Sequence, residues 1–169
     1  MIRRLSAWLA GALVLALLLV LPAPAMTLQD SALVQDTVDY TLTNQSGKDF
    51  SGQQLANTSF AGSVGKGASF AGANLHGAIL TQGAFPDADF SGADLSDALM
   101  DRVDMSGTNL RGALLVGAIA SGGSFSRADV TDADFTDALL DRVDQRLLCA
   151  TASGTNPVTG ADTRASLGC

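Results

Sequence analysis

The chain contains no glutamate, and it has only one histidine, one tryptophan, one tyrosine and two cysteines among 169 residues. All 17 acidic residues are therefore aspartates, and the net charge is −7 at pH 7. This acidity argues against binding to nucleic acid or to an anionic membrane. The lone histidine, His76, supports no Ser–His–Asp arrangement, and no Cys or His set has the spacing of a zinc site. We therefore expect no catalytic residues, no metal and no cofactor.

The chain has only one long apolar run, from Leu5 to Leu21. This run directly follows Arg3 and Arg4. The run is followed by Ala23-Pro24-Ala25, which is typical of a signal-peptidase site before Met26. We predict that residues 1–25 are an export signal. A permanent membrane anchor is the alternative, because the run approaches the shortest length that spans a bilayer. The paired arginines leave Sec and Tat export both open, although the ordinary secretory route fits their neighbours better.

The feature that the chain does have is a five-residue period. Every phenylalanine occupies a position that is a multiple of five: Phe50, Phe60, Phe70, Phe85, Phe90, Phe125 and Phe135. Leucine, methionine and valine fill most of the remaining positions in this register, which we call the centres, and only Gly65 and Ala120 interrupt them between residues 50 and 140. A straight helix cannot place every fifth residue on one face. The period therefore predicts a solenoid that turns once per repeat.

The other positions of the repeat agree with this interpretation. The residue two before each centre is usually alanine or glycine, and the residue one before is often Asp or Asn. In extended chain, residues two apart share a face, so the small residue and the centre point inward and the polar residue points outward. Gly, Asp and Ser after the centre suit a tight turn. Paired carboxylates such as Asp87 with Asp89 and Asp132 with Asp134 are interpreted as solvated, turn-bonding positions of the repeat.

The run from 50 to 144 resembles the pentapeptide-repeat proteins. The matching motifs include Ala73-Asn74-Leu75-His76-Gly77, Ala93-Asp94-Leu95-Ser96-Asp97 and Ala133-Asp134-Phe135-Thr136-Asp137. The resemblance implies an all-β solenoid, a right-handed quadrilateral β-helix with four repeats per coil and a small helical C-terminal cap. Lys48, Gln53, Thr58 and Ser63 depart from the alanine position, and Gly65 leaves a gap or a distortion at a centre.

The segments on either side of the repeats lack the five-residue register. Residues 26–49 are predicted to cover the N-terminal end of the solenoid, with a short strand through Val38, Tyr40 and Leu42. After Leu140 the apolar spacing becomes helical, and residues 145–169 are predicted to cap the other end. A second short helix is expected to run to Leu167, capped by Thr159 together with Asp162 three residues later.

The two cysteines, Cys149 and Cys169, belong to this C-terminal segment. Two cysteines in an exported chain favour a disulfide, with two free thiols or a redox pair as the alternatives. The tail is also similar to that of the pentapeptide-repeat proteins in the lumen of cyanobacteria and chloroplasts. Gly154-Thr155-Asn156-Pro157 and Leu167-Gly168-Cys169 supply the shared elements. This resemblance implies that the chain works in the thylakoid lumen or the periplasm.

One outward position departs from the polar pattern. The residue before the centre is apolar at Ile79, Leu99, Ile119 and Leu139, which are spaced by 20 residues and should stack on one side of a four-sided coil. We call these four residues the stripe. The stripe is interpreted as a docking surface for a protein partner or for a second copy, as a surface covered by a terminal segment, or as part of a locally rotated repeat that faces inward.

These observations predict an exported, non-enzymatic scaffold that acts as a protein–protein interaction module in the thylakoid lumen or periplasm. The partner is an unidentified protein, self-association is possible, and we expect no nucleic acid and no stable membrane insertion after signal cleavage. One alternative is a DNA mimic that inhibits or protects a topoisomerase, which the acidity favours but the signal and the cysteine pair do not. Another is an accessory or regulator of photosynthetic complexes.

Overall fold

The computed structural model describes residues 38–169. The predicted signal peptide, residues 1–25, lies outside the described residues. The same holds for residues 26–37 of the predicted N-terminal cover segment, so the structure addresses only its last part, residues 38–49.

Parallel bridges join each outward residue before a centre to the residue 20 positions later. The series begins with Asp39 and Ser59, recurs every five residues, and continues to Leu114 and Asp134. Strand β1 (Ile119–Ala120) pairs in the same way with strand β2 (Leu139–Leu140), with Ile119 opposite Leu139. Four five-residue sides therefore complete one coil, and each coil stacks on the next as the period predicts, with a rise of about 4.8 Å.

Each side of a coil ends in a turn whose second residue has positive φ. Glycine adopts this conformation without strain, as Gly92 does with φ 62°. Aspartate tolerates it, as at Asp97 with φ 56°. The aspartate before a centre closes the turn from the other end, because Asp94 Oδ1 accepts a hydrogen bond from Ser96 N–H at 3.0 Å. Aspartate has the length to reach that N–H, which gives a physical reason for its use throughout a chain without glutamate.

The centres form the core as vertical columns. The rings of Phe50, Phe70 and Phe90 stack nearly parallel, with centroids 4.9 and 4.7 Å apart. The predicted alignment of Phe70 with Phe90 is thus confirmed. Small residues two before each centre are buried as well, including Ala73, Ala93 and Ala113, because several backbones converge there and leave no room for larger side chains.

Gly65 occupies a centre without distorting the coil. A Cβ built on Gly65 would lie only 2.5 Å from Cδ1 of Phe85, the centre one coil later. The Phe85 ring is fully buried and fills the space that the glycine leaves. The bridge from Val64 to Ala84 is retained at this level. The gap expected from the sequence is therefore occupied by a larger neighbour.

The structure differs from the expectation for residues 38–49, which belong to the coil stack. Tyr40 takes a centre position and stacks on Phe60, with centroids 4.7 Å apart. Leu42 lies in the following turn, with φ 57° and an exposed fraction of 82%. The strand predicted through Val38, Tyr40 and Leu42 is therefore wrong, because the chain turns after Tyr40. Tyr40 and Gln45 occupy the centre positions of this segment. A pattern of phenylalanine and leucine therefore does not reveal the register there.

The other end of the stack is helical. Helix α1 (Arg142–Thr151) starts one residue after β2 and includes the last three residues, 142–144, of the predicted repeat segment. Helix α2 (Thr163–Ser166) begins after Asp162, whose side chain accepts from Ala165 N–H at 2.8 Å. The predicted cap that starts at Thr159 is wrong, because Asp162 is itself the N-cap and Thr159 Oγ1 donates to Asp134 instead. Leu148, Ala152 and Leu167 join the core cluster. Neither helix in residues 38–169 has the length and apolar character needed to cross a bilayer.

The fit between Gly65 and Phe85 predicts a coupled pair of substitutions. Gly65→Ala should lower the free energy of unfolding by about 1–3 kcal/mol, because the added methyl group overpacks against the Phe85 ring. In the background of Phe85→Leu the same substitution should cost much less, since the ring is absent. Urea unfolding of the two single variants and the double variant measures this coupling. Equal costs of Gly65→Ala in both backgrounds would contradict it.

Candidate functional site

The stripe lies on one side of the coil stack and points outward. Parallel bridges pair Ile79 with Leu99 and Leu99 with Ile119, and β1 pairs Ile119 with Leu139. Leu99 is 38% exposed and Leu139 is 60% exposed, while Ile79 and Ile119 are partly exposed. The flanking centres of this side, such as Leu80 and Met100, are fully buried. The structure therefore does not support an inward-facing stripe.

The C-terminal segment does not cover the stripe, because it packs on a neighbouring side. The Asn156 side chain is 1% exposed, and its Nδ2 donates to the carbonyl oxygens of Gly112, Ala113 and Asp132 at 3.2, 3.4 and 2.9 Å. Its Oδ1 accepts from Val158 N–H at 2.9 Å. Asn156 thus anchors the tail across the side that carries Leu114 and Asp134.

On that neighbouring side, the Asp134 carboxylate accepts three hydrogen bonds. Its Oδ1 accepts from Thr136 N–H at 2.8 Å and from Thr136 Oγ1 at 2.6 Å, and its Oδ2 accepts from Thr159 Oγ1 at 2.7 Å. Burial by itself raises the pKa of this carboxyl, but the hydrogen bonds from Thr136 and Thr159 outweigh burial and bring the pKa below its ordinary value. Asp134 is therefore a structural anion that attaches the tail.

The last coil has no further coil above it, and side chains replace the missing acceptors. In regular coils a centre N–H donates to a backbone carbonyl, as Phe70 N–H does to Asp89 O at 2.6 Å. In the last coil Phe125 N–H donates to Asp144 Oδ1 at 3.4 Å, and Phe135 N–H donates to Ser166 Oγ at 3.0 Å. Burial raises the pKa of Asp144 and the charge of Asp141 adds to the rise, which the Phe125 N–H opposes.

The two cysteines close the same end. Cys149, on α1, is bonded to Cys169, the last residue, with a Cα–Cα distance of 5.7 Å. Gln145 Nε2 also donates to Leu167 O at 2.6 Å, so two links hold the terminal residues against α1. The structure of residues 38–169 contains the disulfide and no free cysteine, so it does not support the alternative of two free thiols.

The remaining polar candidates form local contacts. His76 Nε2 lies 3.9 Å from Asp97 Oδ2, and both side chains are at least half exposed. Asp89 accepts from Asn109 Nδ2 at 2.9 Å, and Asp132 pairs with Arg111 at 3.9 Å. Within residues 38–169, no group of three or more His, Cys, Asp or Glu side chains is placed to hold a metal.

An open groove of about 560 Å³ lies where α1 meets the last coil. Phe125, Ala128, Leu147 and Leu148 supply apolar lining, and Arg127 and Asp129 supply charged lining. Sequence reasoning did not find this groove or the roles of Asn156, Asp144 and Ser166. The Gly-x-Asn-Pro motif was the available signal for Asn156, while the other contacts join residues that are distant in the chain.

The sequence profile of the family described as pentapeptide repeats matches residues 49–82, 85–117 and 108–144, in 8 copies. No curated protein matches the chain in sequence. Among solved structures, the chain is similar to a pentapeptide repeat protein from the Arabidopsis thaliana thylakoid lumen. The two are 38% identical with a TM-score of 0.59, and the match covers 77% of this chain and 90% of that one.

Two further solved structures have a lower similarity. HetL, a pentapeptide repeat protein involved in heterocyst differentiation regulation from the cyanobacterium Nostoc, is 20% identical with a TM-score of 0.43, and the match covers 60% of each chain. A plasmid-mediated fluoroquinolone resistance protein is 19% identical with a TM-score of 0.28, over 66% of this chain and 69% of that one. Both likenesses are too low to carry an argument about function.

The hydrogen bonds of Asp134 predict a pH-dependent contribution to stability. Because its pKa is lowered in the folded state, its contribution is present above the ordinary aspartate range and is lost as the pH falls through the folded pKa. Asp134→Asn should lower the free energy of unfolding by about 1–2 kcal/mol near neutral pH, and the difference from wild type should shrink toward about pH 3.

Urea unfolding at the two pH values measures this effect. Asp87→Asn is the matched control, because it removes the same charge from an exposed turn residue and should change stability little at either pH. A deficit of the Asp134 variant that stays constant from neutral to acidic pH would contradict the assigned role of the ionised carboxyl.

Proposed function

The chain belongs to the pentapeptide-repeat family, and from that membership we propose that it is an exported scaffold that binds a protein partner through the stripe. The stacked coils are proposed to be a right-handed quadrilateral β-helix, which is the fold that the family implies. The proposed organisation is a signal peptide at residues 1–25, coils that include residues 39–140, and a C-terminal cap from residue 141 onward.

Export is supported by three independent features. Residues 1–25 have the charged start, apolar run and small-residue site of a signal peptide. The chain joins its only two cysteines in a disulfide, and such bonds persist in oxidising compartments. The similar Arabidopsis protein comes from the thylakoid lumen. We propose the thylakoid lumen or the periplasm as the compartment.

A binding role rather than an enzymatic role is supported by how the fold uses its residues. Pentapeptide repeat proteins generally serve as structural or interaction modules. The inside of each coil is filled by side chains, so function must reside on the outer sides and at the ends. On those sides the stripe replaces the usual polar residue with a large apolar one in four successive coils. That exposed apolar ladder is the single observation that carries the proposal, because such patches mark interaction sites.

Export and oxidation together predict the mass of the purified protein. When the full chain is produced in a host that secretes it, the intact mass should correspond to a polypeptide starting at Met26 and lacking two hydrogens. Alkylation without reductant should leave Cys149 and Cys169 unmodified, because the disulfide protects both sulfurs. Retention of residues 1–25, or modification of either cysteine, would contradict the corresponding part of the proposal.

The docking role predicts loss of partner binding without loss of the fold. Leu99→Ser with Ile119→Ser should reduce capture of partner protein from the native exported fraction by at least tenfold. The free energy of unfolding should fall by less than about 2 kcal/mol, because both side chains are partly solvated. Serine is suited to these sites, since Ser59 already occupies the same column.

Val64→Ser with Val158→Ser is the matched control. Both valines are exposed, at 44% and 74%, and neither belongs to the stripe, since Val64 bridges to Ala84 in another column and Val158 belongs to the C-terminal segment. Quantitative mass spectrometry of proteins bound to the tagged wild type and to each variant compares the three. Capture that is equal for the stripe variant and the control would count against the stripe as the docking surface.

A further inference from the structure

One side of the last coil, at residues 127–130, has backbone groups without partners along its open edge. Between this side and the coil below, Leu110 N–H donates to Asp129 O and Asp129 N–H donates to Thr108 O, at 2.8 and 2.9 Å. The corresponding groups on the open edge are Val130 N–H and Ala128 O. Within residues 38–169, neither group takes part in a hydrogen bond. The pairing between coils therefore stops at this side without a substitute.

Both unpaired groups belong to buried residues. Val130 is 1% exposed and Ala128 is 7% exposed. Buried backbone N–H and C=O groups are almost always paired in proteins, because leaving them unpaired costs free energy. On the next side of the same coil this requirement is met, since Asp132 N–H donates to Ser153 O at 2.8 Å. The edge at Val130 therefore lacks a partner of the kind that the fold supplies to its neighbour.

The groove between α1 and the last coil lies along this edge. Asp129 and Thr131, the chain neighbours of Val130, contribute to its lining, and helix α1 contributes Leu147 and Leu148. Leu147 is 53% exposed, so its side chain is available to a ligand in the groove. The volume of about 560 Å³ is within the range of ligand-binding sites. Unpaired hydrogen-bonding groups and an apolar lining thus lie side by side.

We propose that this groove binds an extended segment of a partner protein, which adds to the last coil as a further parallel strand. One residue of the segment pairs with Asp129. The N–H of that residue donates to Ala128 O, and its C=O accepts from Val130 N–H. Asp129 pairs with Asn109 of the coil below in the same parallel arrangement. In strand addition the main-chain hydrogen bonds supply affinity and alternate side chains supply specificity.

The groove also indicates the side chains of the segment. The residue that pairs with Asp129 points its side chain outward, and the two residues that flank it point inward. The inward residues lie above Ala128 and Val130. Arg127 and Asp129 together give the lining no net charge, so neither an acidic nor a basic segment is selected. We therefore expect a small apolar residue, a polar residue and a larger apolar residue in succession.

This site is separate from the stripe. The column of Asp129 is two five-residue steps from the column of Ile119, so it belongs to the opposite side of a four-sided coil. The inference therefore goes beyond the proposed function, and it stands or falls independently of the role of the stripe.

A peptide titration followed by amide NMR tests the site in the full chain produced in a secreting host. The probe is a pooled set of acetylated seven-residue peptides with Ala-x-Val at the centre, in which x is each of the polar residues. Binding should move the Val130 amide proton downfield, because it gains a hydrogen bond, with a dissociation constant of roughly 10 µM to 1 mM. A peptide N-methylated at x is the matched control. It cannot donate to Ala128 O, and it should bind about tenfold more weakly.

Protein variants check the location of the bound peptide. Leu147→Gln should weaken binding about fivefold or more, because it removes an apolar contact from the groove. Val143→Gln is the matched control, since Val143 is a 60% exposed residue of the same helix outside the groove lining. This control and the stripe variant, Leu99→Ser with Ile119→Ser, should both bind like wild type. Thermal unfolding checks that each variant is folded, and equal affinities of the Leu147 and Val143 variants would place the peptide elsewhere.

Several further outcomes would overturn the inference. One is that no peptide of the set moves the Val130 amide. Another is that an N-methylated peptide binds as well as its parent, which would mean apolar filling of the groove only. A third is that, in the free protein, the Val130 amide shift already has the small temperature dependence of a hydrogen-bonded group. Another segment of this chain then occupies the groove, or a second copy does if the shift also changes with protein concentration.

Discussion

The hydrogen bonds between successive coils are the constraint on which the rest of this structure depends. Each side of a coil contributes an N–H and a carbonyl to the coil above and to the coil below, as Phe70 does with Asp89 and Asp89 with Ala68. Because buried backbone groups must be paired, the five-residue register cannot slip on one side without breaking bonds on all four. The centres are consequently aligned into columns, and stacked aromatic rings follow from the backbone register.

The same constraint creates a problem at the end of the stack, where the last coil has N–H groups with no coil above them. Three other groups accept hydrogen bonds from these N–H groups, namely the Asp144 carboxylate, the Ser166 hydroxyl and the Ser153 carbonyl. Helix α1 and the disulfide hold these acceptors in place. The C-terminal segment is therefore part of the hydrogen-bonding scheme of the solenoid as well as a cover for its apolar core. Open edges of this kind otherwise invite pairing with other chains.

A core that is specified by the inward positions leaves the outward positions free to carry recognition. Their side chains form vertical ladders, so one substitution repeated every 20 residues produces a continuous surface. The stripe is such a ladder, because its four residues pair through parallel bridges at intervals of 20 residues. A rigid stack holds these groups at fixed spacing, which reduces the entropy lost when a partner binds. The scaffold and the proposed docking surface thus arise from the same periodicity.

The sequence by itself determined the repeat, the columns of Phe and Leu, the vertical alignment of the stripe and the helical character of the C-terminal segment. These are periodic or local properties, so they can be read along the chain. Only the tertiary structure decided that Tyr40 and Gln45 continue the register, that Phe85 fills the space beside Gly65, that Asn156 fastens the tail, and that the stripe faces outward. These features depend on contacts between residues in different coils, where the shape and hydrogen-bonding needs of one side chain are met by a distant one.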